Sequence, residues 1–201
     1  EKPLEPHGIG VTARFGFNNS YVVGMLESRA AELGINKVSD LQQHEELQFG
    51  FSNEFIDRED GWYGLRNHYQ LPQLDVTGLS HELAYRALEI SNIDAMDLYS
   101  TDADIRYYDI RALKDDVSYF SEYHALFLHR LDVPKQVIQI LQGLENKIDV
   151  NRMMTMNAAV KLEGQSEYSI AADFIDENYQ VKIKRQEQSW QQRFWLNTRL
   201  I

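Results

Sequence analysis

Three of the eleven tyrosines stand where predicted elements begin or end, next to turn-forming or polar residues. Tyr21 follows Phe17-Asn18-Asn19-Ser20, Tyr99 ends a predicted strand, and Tyr123 opens an apolar stretch. Tyrosine rings that converge at strand ends form a pocket with electron-rich faces, which attracts a cation without an acidic side chain. A quaternary ammonium is the natural guest, because it donates no hydrogen bond and is cheap to desolvate. The same placement is also common for tyrosines that only close a sheet, with the ring buried and the hydroxyl in water.

The other chemistry-bearing residues give weaker signals. The sequence has no P-loop, and Gly78-Leu79-Ser80-His81 does not fit a nucleophile elbow. The six histidines are scattered, and a chain without cysteine has no thiolate ligand or thiol nucleophile. We therefore expect neither a metal nor a cofactor. Two acidic pairs, Asp94 with Asp97 and Asp102 with Asp104, could serve general acid–base catalysis, although such pairs are usually helix caps or solvated side chains.

Charge and composition narrow the function classes. The 201 residues include 31 Asp and Glu against 20 Lys and Arg, and this net charge of −11 argues against nucleic-acid binding. No window approaches the roughly 18 apolar residues of a membrane span. Residues 180–201 carry a net +4, which leaves −15 on residues 1–179. In this basic tail, Ile183, Trp190, Phe194 and Ile201 share one face of a predicted helix, a pattern typical of helices at a membrane surface.

The body of the chain alternates segments typical of strands and of helices. Predicted strands cover 21–26, 47–51, 74–77, 93–99, 110–113 and 123–128. Predicted helices cover 28–33, 39–45, 61–69, 82–90, 149–160 and 166–179, and a further one begins at Pro134. Ser39 and Ser80 are predicted N-caps, and the predicted core-facing helical residues are Leu83, Ala84, Ala87, Leu88, Val137, Ile138 and Leu141. The alternation predicts an α/β fold with a parallel or mixed sheet, whose ligands lie at the carboxyl ends of strands.

A series of ordered motifs resembles a known family of binding proteins. The motifs are Gly16-Phe17-Asn18-Asn19-Ser20-Tyr21, the segment 49–62 with Glu54-Phe55-Ile56-Asp57-Arg58-Glu59-Asp60-Gly61, Tyr99-Ser100-Thr101-Asp102, Leu113-Lys114-Asp115-Asp116, and the Phe120, Tyr123, Ala125 segment. Over roughly 11–175 the chain resembles the substrate-binding component of ABC importers for glycine betaine, choline and related osmoprotectants. The first two motifs are specific, whereas Tyr-Ser-Thr-Asp gains its weight from its place in the series.

The resemblance implies a two-lobed type II periplasmic-binding-protein fold that closes on its ligand. Lobe two is expected at 22–119, and an incomplete lobe one at 1–21 and 120–179. In that family a box of tyrosines holds the trimethylammonium group, and an arginine from the second lobe binds the carboxylate of the ligand. Tyr21, Tyr99 and Tyr123 match box positions and Arg58 matches the arginine, although a surface ion pair with its acidic neighbours is the alternative for Arg58. The expected supporting residues are Asn18, Asn19, Thr101 and Asp102.

The sequence departs from the family pattern at both ends. Family members have a further stretch before the Asn-Asn-Ser-Tyr motif, with another box tyrosine in a Tyr-Thr-Gly-Thr segment that these 201 residues lack. One wall of the box is therefore expected to be absent from this chain. The tail at 180–201 resembles the lead-in to a permease domain on the same chain, and the alternatives are a helix that docks on lobe one or a disordered end.

The resemblance implies a binding module and not an enzyme. We expect it to bind glycine betaine, choline or a similar quaternary ammonium solute and to deliver it to an ABC permease, on the same chain or a separate one. The expected location is periplasmic or extracytoplasmic, tethered to the cytoplasmic membrane, with the tail at the membrane surface. Two alternatives stay open: a ligand-sensing domain of a regulator with the same fold, and an α/β enzyme that uses paired carboxylates.

Overall fold

Residues 4–179 and 181–183 are described by the computed structural model. In this part of the chain the strands are β1 (Ile9–Val11), β2 (Tyr21–Leu26), β3 (Phe49–Ser52), β4 (Val76–Leu79), β5 (Met96–Tyr99), β6 (Ile110–Ala112) and β7 (Leu128–Arg130). The α-helices are α1 (Glu27–Leu33), α2 (Asn53–Asp57), α3 (Trp62–Tyr69), α4 (His81–Glu89), α5 (Asp104–Tyr107), α6 (Lys135–Gln142), α7 (Val150–Lys161) and α8 (Glu167–Tyr179). Short 3-10 helices cover Glu5–His7 and Val38–Gln43. The predicted mixed α/β architecture is confirmed.

Strand β2 is the centre of the main sheet. Its uninterrupted apolar run is typical of a strand covered on both faces, and it pairs antiparallel with β5 on one side and β6 on the other. Strands β3 and β4 are parallel, and a parallel bridge between Phe49 and Ala95 joins them to the residues just before β5. A separate antiparallel ribbon is formed by β1 and β7.

Two clusters of buried side chains hold helices against these strands. In the larger cluster the fully buried Trp62 of α3 contacts Phe49 and Phe51 of β3, with ring centres 5.5 and 5.0 Å apart. Trp62 is therefore a packing residue at the start of α3. In the smaller cluster, Leu88 of α4 packs beside Leu98 of β5, and burying such a side chain contributes roughly 2 kcal/mol.

The predicted N-caps have different outcomes. Ser80 begins α4 as predicted, because its hydroxyl accepts a hydrogen bond from the backbone N–H of Leu83 at 3.4 Å. Ser39 does not cap a helix. The segment is a 3-10 helix that begins at Val38, and the Ser39 hydroxyl donates to Oδ2 of Asp116 at 2.7 Å instead.

The predicted strand at 123–128 is wrong in its bounds. Only its last residue lies in β7, because residues 123–127 meet the segment 12–19 at uneven intervals. Backbone N–H groups of residues 12, 15 and 19 donate to carbonyls of residues 127, 125 and 123, each at 3.0 Å. Steps of three and four residues on one side thus oppose steps of two on the other, which prevents a regular ladder.

Two helical faces also differ from the prediction. Leu83 is 53% exposed, whereas Tyr85, which was not predicted to be buried, is 2% exposed on α4. Val137 is 43% exposed, and no residue of α6 is buried. The sequence periodicity correctly predicts that α6 has an apolar face. The other described residues cover that face only in part.

The predicted tail at 180–201 lies outside the described residues, apart from 181–183. None of the helices in the described range is long and apolar enough to span a bilayer. The boundaries of the two lobes stay a prediction.

Candidate ligand-binding site

Tyr21 and Tyr99 are brought together by the register of the main sheet. They are directly paired residues of β2 and β5. Their ring centres lie 4.8 Å apart, and their hydroxyl oxygens are 3.1 Å apart. Burial, together with the hydrogen bond to Tyr99, raises the pKa of the Tyr21 hydroxyl above its ordinary value. Tyr21 is therefore neutral at physiological pH, and two electron-rich rings lie side by side at this end of the sheet.

Arg58 lies over the Tyr21 ring of this pair. It is the C-cap residue of α2, and its Cζ is 5.6 Å from the centre of the Tyr21 ring. The Nε and Nη2 atoms of Arg58 donate to the two carboxylate oxygens of Asp60, each at 2.8 Å. This hydrogen bonding from Arg58 lowers the pKa of the Asp60 carboxyl below its ordinary value. Both partners are therefore charged at neutral pH.

Tyr123 joins the same group through Asp60. Its hydroxyl donates to Oδ2 of Asp60 at 3.3 Å, and the residue is 44% exposed. The side-chain oxygen of Asn18 accepts from the backbone N–H of Tyr123 at 2.6 Å, and the N–H of Asn19 donates to the Tyr123 carbonyl at 3.0 Å. The two asparagines thus fix Tyr123 beside the segment that leads into Tyr21. We name Tyr21, Arg58, Asp60, Tyr99 and Tyr123 the tyrosine–arginine cluster.

The turn after Tyr99 is bonded to two other parts of the chain. The hydroxyl of Thr101 donates to the side-chain oxygen of Asn19 at 2.6 Å. The side chain of Asn157, on α7, donates to the Thr101 carbonyl at 2.9 Å. Thr101 is buried, so its contacts are structural ones that hold the turn in place.

Asp102 fixes the backbone of Tyr99. Its Oδ2 accepts hydrogen bonds from the Tyr99 N–H at 3.0 Å and the Tyr85 hydroxyl at 2.8 Å, and lies 3.0 Å from Nε2 of His81. Burial opposes ionisation of Asp102, but these hydrogen bonds outweigh it and lower the pKa of its carboxyl. Burial likewise opposes the charge on His81, but the bond to Asp102 outweighs it and raises the pKa of the imidazole. The His81 ring also contacts the Tyr99 ring, with centres 5.6 Å apart.

The other acidic residues of the predicted pairs have separate partners. Asp97 is buried, which raises the pKa of its carboxyl, although it accepts from the N–H and hydroxyl of Ser52 at 2.5 and 2.6 Å. Asp94 pairs with Arg29, and Asp104 with Lys161. No group of three or more His, Asp or Glu side chains within the described range is arranged to hold a metal ion.

Two residues that organise the site, His81 and Asp115, are not predicted from the sequence. The ion pair of Arg58 with an acidic neighbour, given above as the alternative for Arg58, is present, and Asp60 is the partner. His81 and Asp102 are 21 residues apart, so only the fold brings them together. Asp115 accepts from the N–H groups of Tyr119 and Phe120 at 3.0 and 2.8 Å, and so shapes the segment before Tyr123. Asp115 lies within one of the family motifs, whereas His81 lies in none of them.

Comparison with known proteins gives consistent matches over most of the chain. A family described as the substrate binding domain of ABC-type glycine betaine transport system matches residues 2–177. The ergothioneine transport permease/ergothioneine binding protein EgtU of Helicobacter pylori (strain G27) is 32% identical over 165 residues, which are 80% of this chain and 30% of that protein. The glycine-betaine-binding protein of Pseudomonas aeruginosa is 32% identical over 178 residues, which are 81% of this chain and 57% of that protein.

Solved structures give the same fold. The crystal structure of a glycine betaine/carnitine/choline ABC transporter matches with a TM-score of 0.78 and 26% identity, over 87% of this chain and 65% of that chain. Lactococcal OpuAC in its closed-liganded conformation with glycine betaine matches in fold alone, with a TM-score of 0.54 and 10% identity over 88% of this chain and 71% of that chain. The predicted type II periplasmic-binding-protein fold is confirmed. The chain spans 30% and 57% of the two relatives named above.

Proposed function

We propose a ligand and a role for this chain from one premise: the chain belongs to the family of substrate-binding domains of ABC-type glycine betaine transport systems. Members of this family bind substrates and are not enzymes, so the alternative of an enzyme with paired carboxylates is set aside. The finer question is which residues bind and what they bind.

The proposed ligand is a quaternary ammonium solute, held through the tyrosine–arginine cluster. The observation that carries the proposal is the paired rings of Tyr21 and Tyr99, 4.8 Å apart, with Arg58 over Tyr21 and Tyr123 linked through Asp60. Neutral aromatic faces attract a cation that cannot donate a hydrogen bond. The guanidinium of Arg58 supplies donors for a carboxylate at the other end of the ligand. Glycine betaine and choline are the primary candidates, and ergothioneine, carnitine and proline betaine share the same chemistry.

The proposed role is to capture this solute outside the cytoplasmic membrane and deliver it to an ABC permease, on the same chain or a separate one. One relative carries a name that joins a permease and a binding protein, which supports a permease on the same chain. We propose that the domain is tethered to the membrane and that closure of its two lobes couples capture to docking on the permease.

Calorimetric titration of the full-length protein with glycine betaine and with choline tests the ligand assignment. We expect Tyr99→Ala to weaken binding of both ligands at least about 30-fold, since a desolvated cation–π contact is worth about 2 kcal/mol. Arg58→Ala should weaken glycine betaine binding by a similar factor and choline binding far less, because choline has no carboxylate.

Tyr99→Phe is the matched control, because it keeps the ring and removes only the hydroxyl bonded to Tyr21. It should retain most of the affinity. Unchanged affinity in Tyr99→Ala would refute the aromatic-box assignment, and equal losses for both ligands in Arg58→Ala would refute the carboxylate role.

A further inference from the structure

Asp60 is the residue through which the tyrosine–arginine cluster is connected. Its two carboxylate oxygens accept from Nε and Nη2 of Arg58, each at 2.8 Å, and Oδ2 also accepts from the Tyr123 hydroxyl at 3.3 Å. Asp60 therefore contacts both an aromatic member and the cationic member of the cluster. It is 52% exposed at the side chain, so solvent and a ligand can reach it.

The way in which Asp60 binds Arg58 leaves part of the guanidinium available. A guanidinium has a side edge, formed by Nε and one Nη, and an end edge, formed by the two Nη atoms. Asp60 occupies the side edge, and Nη1 donates no hydrogen bond to any residue within the described range. A second carboxylate can therefore bind the end edge while Asp60 stays in place.

The charges of the two side chains cancel beside the aromatic rings. Arg58 lies 5.6 Å from the centre of the Tyr21 ring, so an unpaired guanidinium here would repel a quaternary cation on the tyrosine faces. A betaine brings its own carboxylate and can neutralise Arg58 itself. Choline brings only a positive charge, and in its complex the only neutralising partner that Arg58 has within the cluster is Asp60.

We propose that Asp60 is a specificity-determining residue, which neutralises Arg58 inside the site and so lets the site accept quaternary cations with or without a carboxylate of their own. This inference rests on the proposed function, since it assumes that the cluster binds a quaternary ammonium group. It predicts that the site binds both ligands. The carboxylate of glycine betaine binds the end edge of Arg58, and choline binds because Asp60, on the side edge, neutralises Arg58.

Calorimetric titration of the full-length Asp60→Asn variant with glycine betaine and with choline chloride tests the inference. Asparagine keeps an acceptor for Arg58 but removes the charge. We expect the choline affinity to fall about tenfold. Coulomb's law for two unit charges about 7 Å apart gives a range that includes this factor, when the dielectric constant lies between that of bulk water and that of a protein surface. The glycine betaine affinity should change by less than about threefold. The loss for choline should shrink as salt is raised from about 50 mM to about 500 mM, because exposed charges are screened.

Asp60→Glu is the matched control, because it keeps the charge and should preserve the ratio of the two affinities within about threefold. Thermal unfolding of both variants without ligand checks that they fold. Equal losses for the two ligands in Asp60→Asn, or no change for choline, would overturn the inference. If the wild-type protein binds glycine betaine but not choline, the inference is overturned and the proposed function stands. If the wild-type protein binds no quaternary ammonium compound, the proposed function itself is overturned.

Discussion

His81 and Asp102 form a titratable support for the Tyr99 backbone. Their contact is 3.0 Å, and the same carboxylate oxygen accepts from the Tyr99 N–H. The raised pKa of His81 means that the folded protein holds the imidazolium more tightly than the unfolded chain does. Its contribution to stability is therefore fully present below the unfolded pKa of about 6.5 and is lost as pH rises through the folded pKa. Asp102, whose pKa is lowered, stays ionised throughout this range.

We expect His81→Gln to lower the free energy of unfolding by roughly 2 kcal/mol at pH 6, the scale of a hydrogen bond to a charged group. The difference between wild type and variant should shrink as the pH rises towards 8.5. Urea unfolding at several pH values measures it. A difference that stays constant across this range would contradict a charged contribution from His81.

At the residue scale, the sequence predicts which of the candidate side chains lie together better than it predicts how they are held. The Phe-Asn-Asn-Ser-Tyr and Glu-Phe-x-x-Arg motifs select Tyr21 and Arg58 directly, and the cross-strand register brings Tyr99 to Tyr21. The pairing of Arg58 with Asp60 depends on the conformation of one loop, and that of His81 with Asp102 on the docking of α4. The acidic neighbours of Arg58 predict an ion pair but not which of them forms it, and the contact of His81 with Asp102 has no local signature in the sequence.

The connection between α2 and α3 depends on a close backbone approach. Gly61 is the N-cap residue of α3, and a Cβ atom built there would lie 1.7 Å from the carbonyl oxygen of Phe55. The segment between the two helices carries Arg58 and Asp60, so a side chain at position 61 must shift the backbone of this segment.

We expect Gly61→Ala to lower the free energy of unfolding by about 1–3 kcal/mol, the usual cost of overpacking. For a chain of this size that corresponds to a fall of roughly 2–4 °C in melting temperature per kcal/mol. Binding of glycine betaine should weaken as well. Differential scanning calorimetry and titration measure the two effects. The exposed Glu59, in the same segment, provides the control: Glu59→Ala should change neither quantity.

At the element scale, apolar runs are predicted well and pairing partners poorly. The continuous run Tyr21–Leu26 is β2 with the predicted bounds. The apolar run 123–128 is just as suggestive, yet its partner segment takes longer steps, so the ladder forms only from Leu128 onwards. For α6 the predicted helix is present, but the predicted burial of its apolar face is wrong, because burial depends on the surface that faces the helix.

Helix α7 links the C-terminal part of the described chain to the turn after Tyr99. Asn157 donates to the Thr101 carbonyl at 2.9 Å. Two further contacts flank it: Arg106 donates to the hydroxyl of Thr155, and Lys161 pairs with Asp104. The turn that follows Tyr99 is thus held from a helix more than fifty residues further along the chain.

We expect Asn157→Ala to leave the Thr101 carbonyl without this partner and to lower stability by roughly 1 kcal/mol. Local opening of the turn should increase, so the amide protons of Ser100 and Asp102, which donate to Ser20 and Tyr99, should exchange with solvent faster. Hydrogen exchange followed by mass spectrometry or NMR measures this. Asn151→Ala, an exposed position on the same helix, is the control. Unaltered exchange in Asn157→Ala would show that α7 does not support the turn.

The charged and aromatic halves of the candidate site lie on separate stretches of chain. Arg58 and Asp60 belong to one short loop between two helices, whereas Tyr21 and Tyr99 belong to the sheet and depend on its register. Under the proposed function, substitutions in the loop should change which ligand charge is preferred while the tyrosine pair stays in register. A lineage with this division would acquire a new solute through substitutions within a few codons, and the proposed recognition of a quaternary nitrogen would be retained.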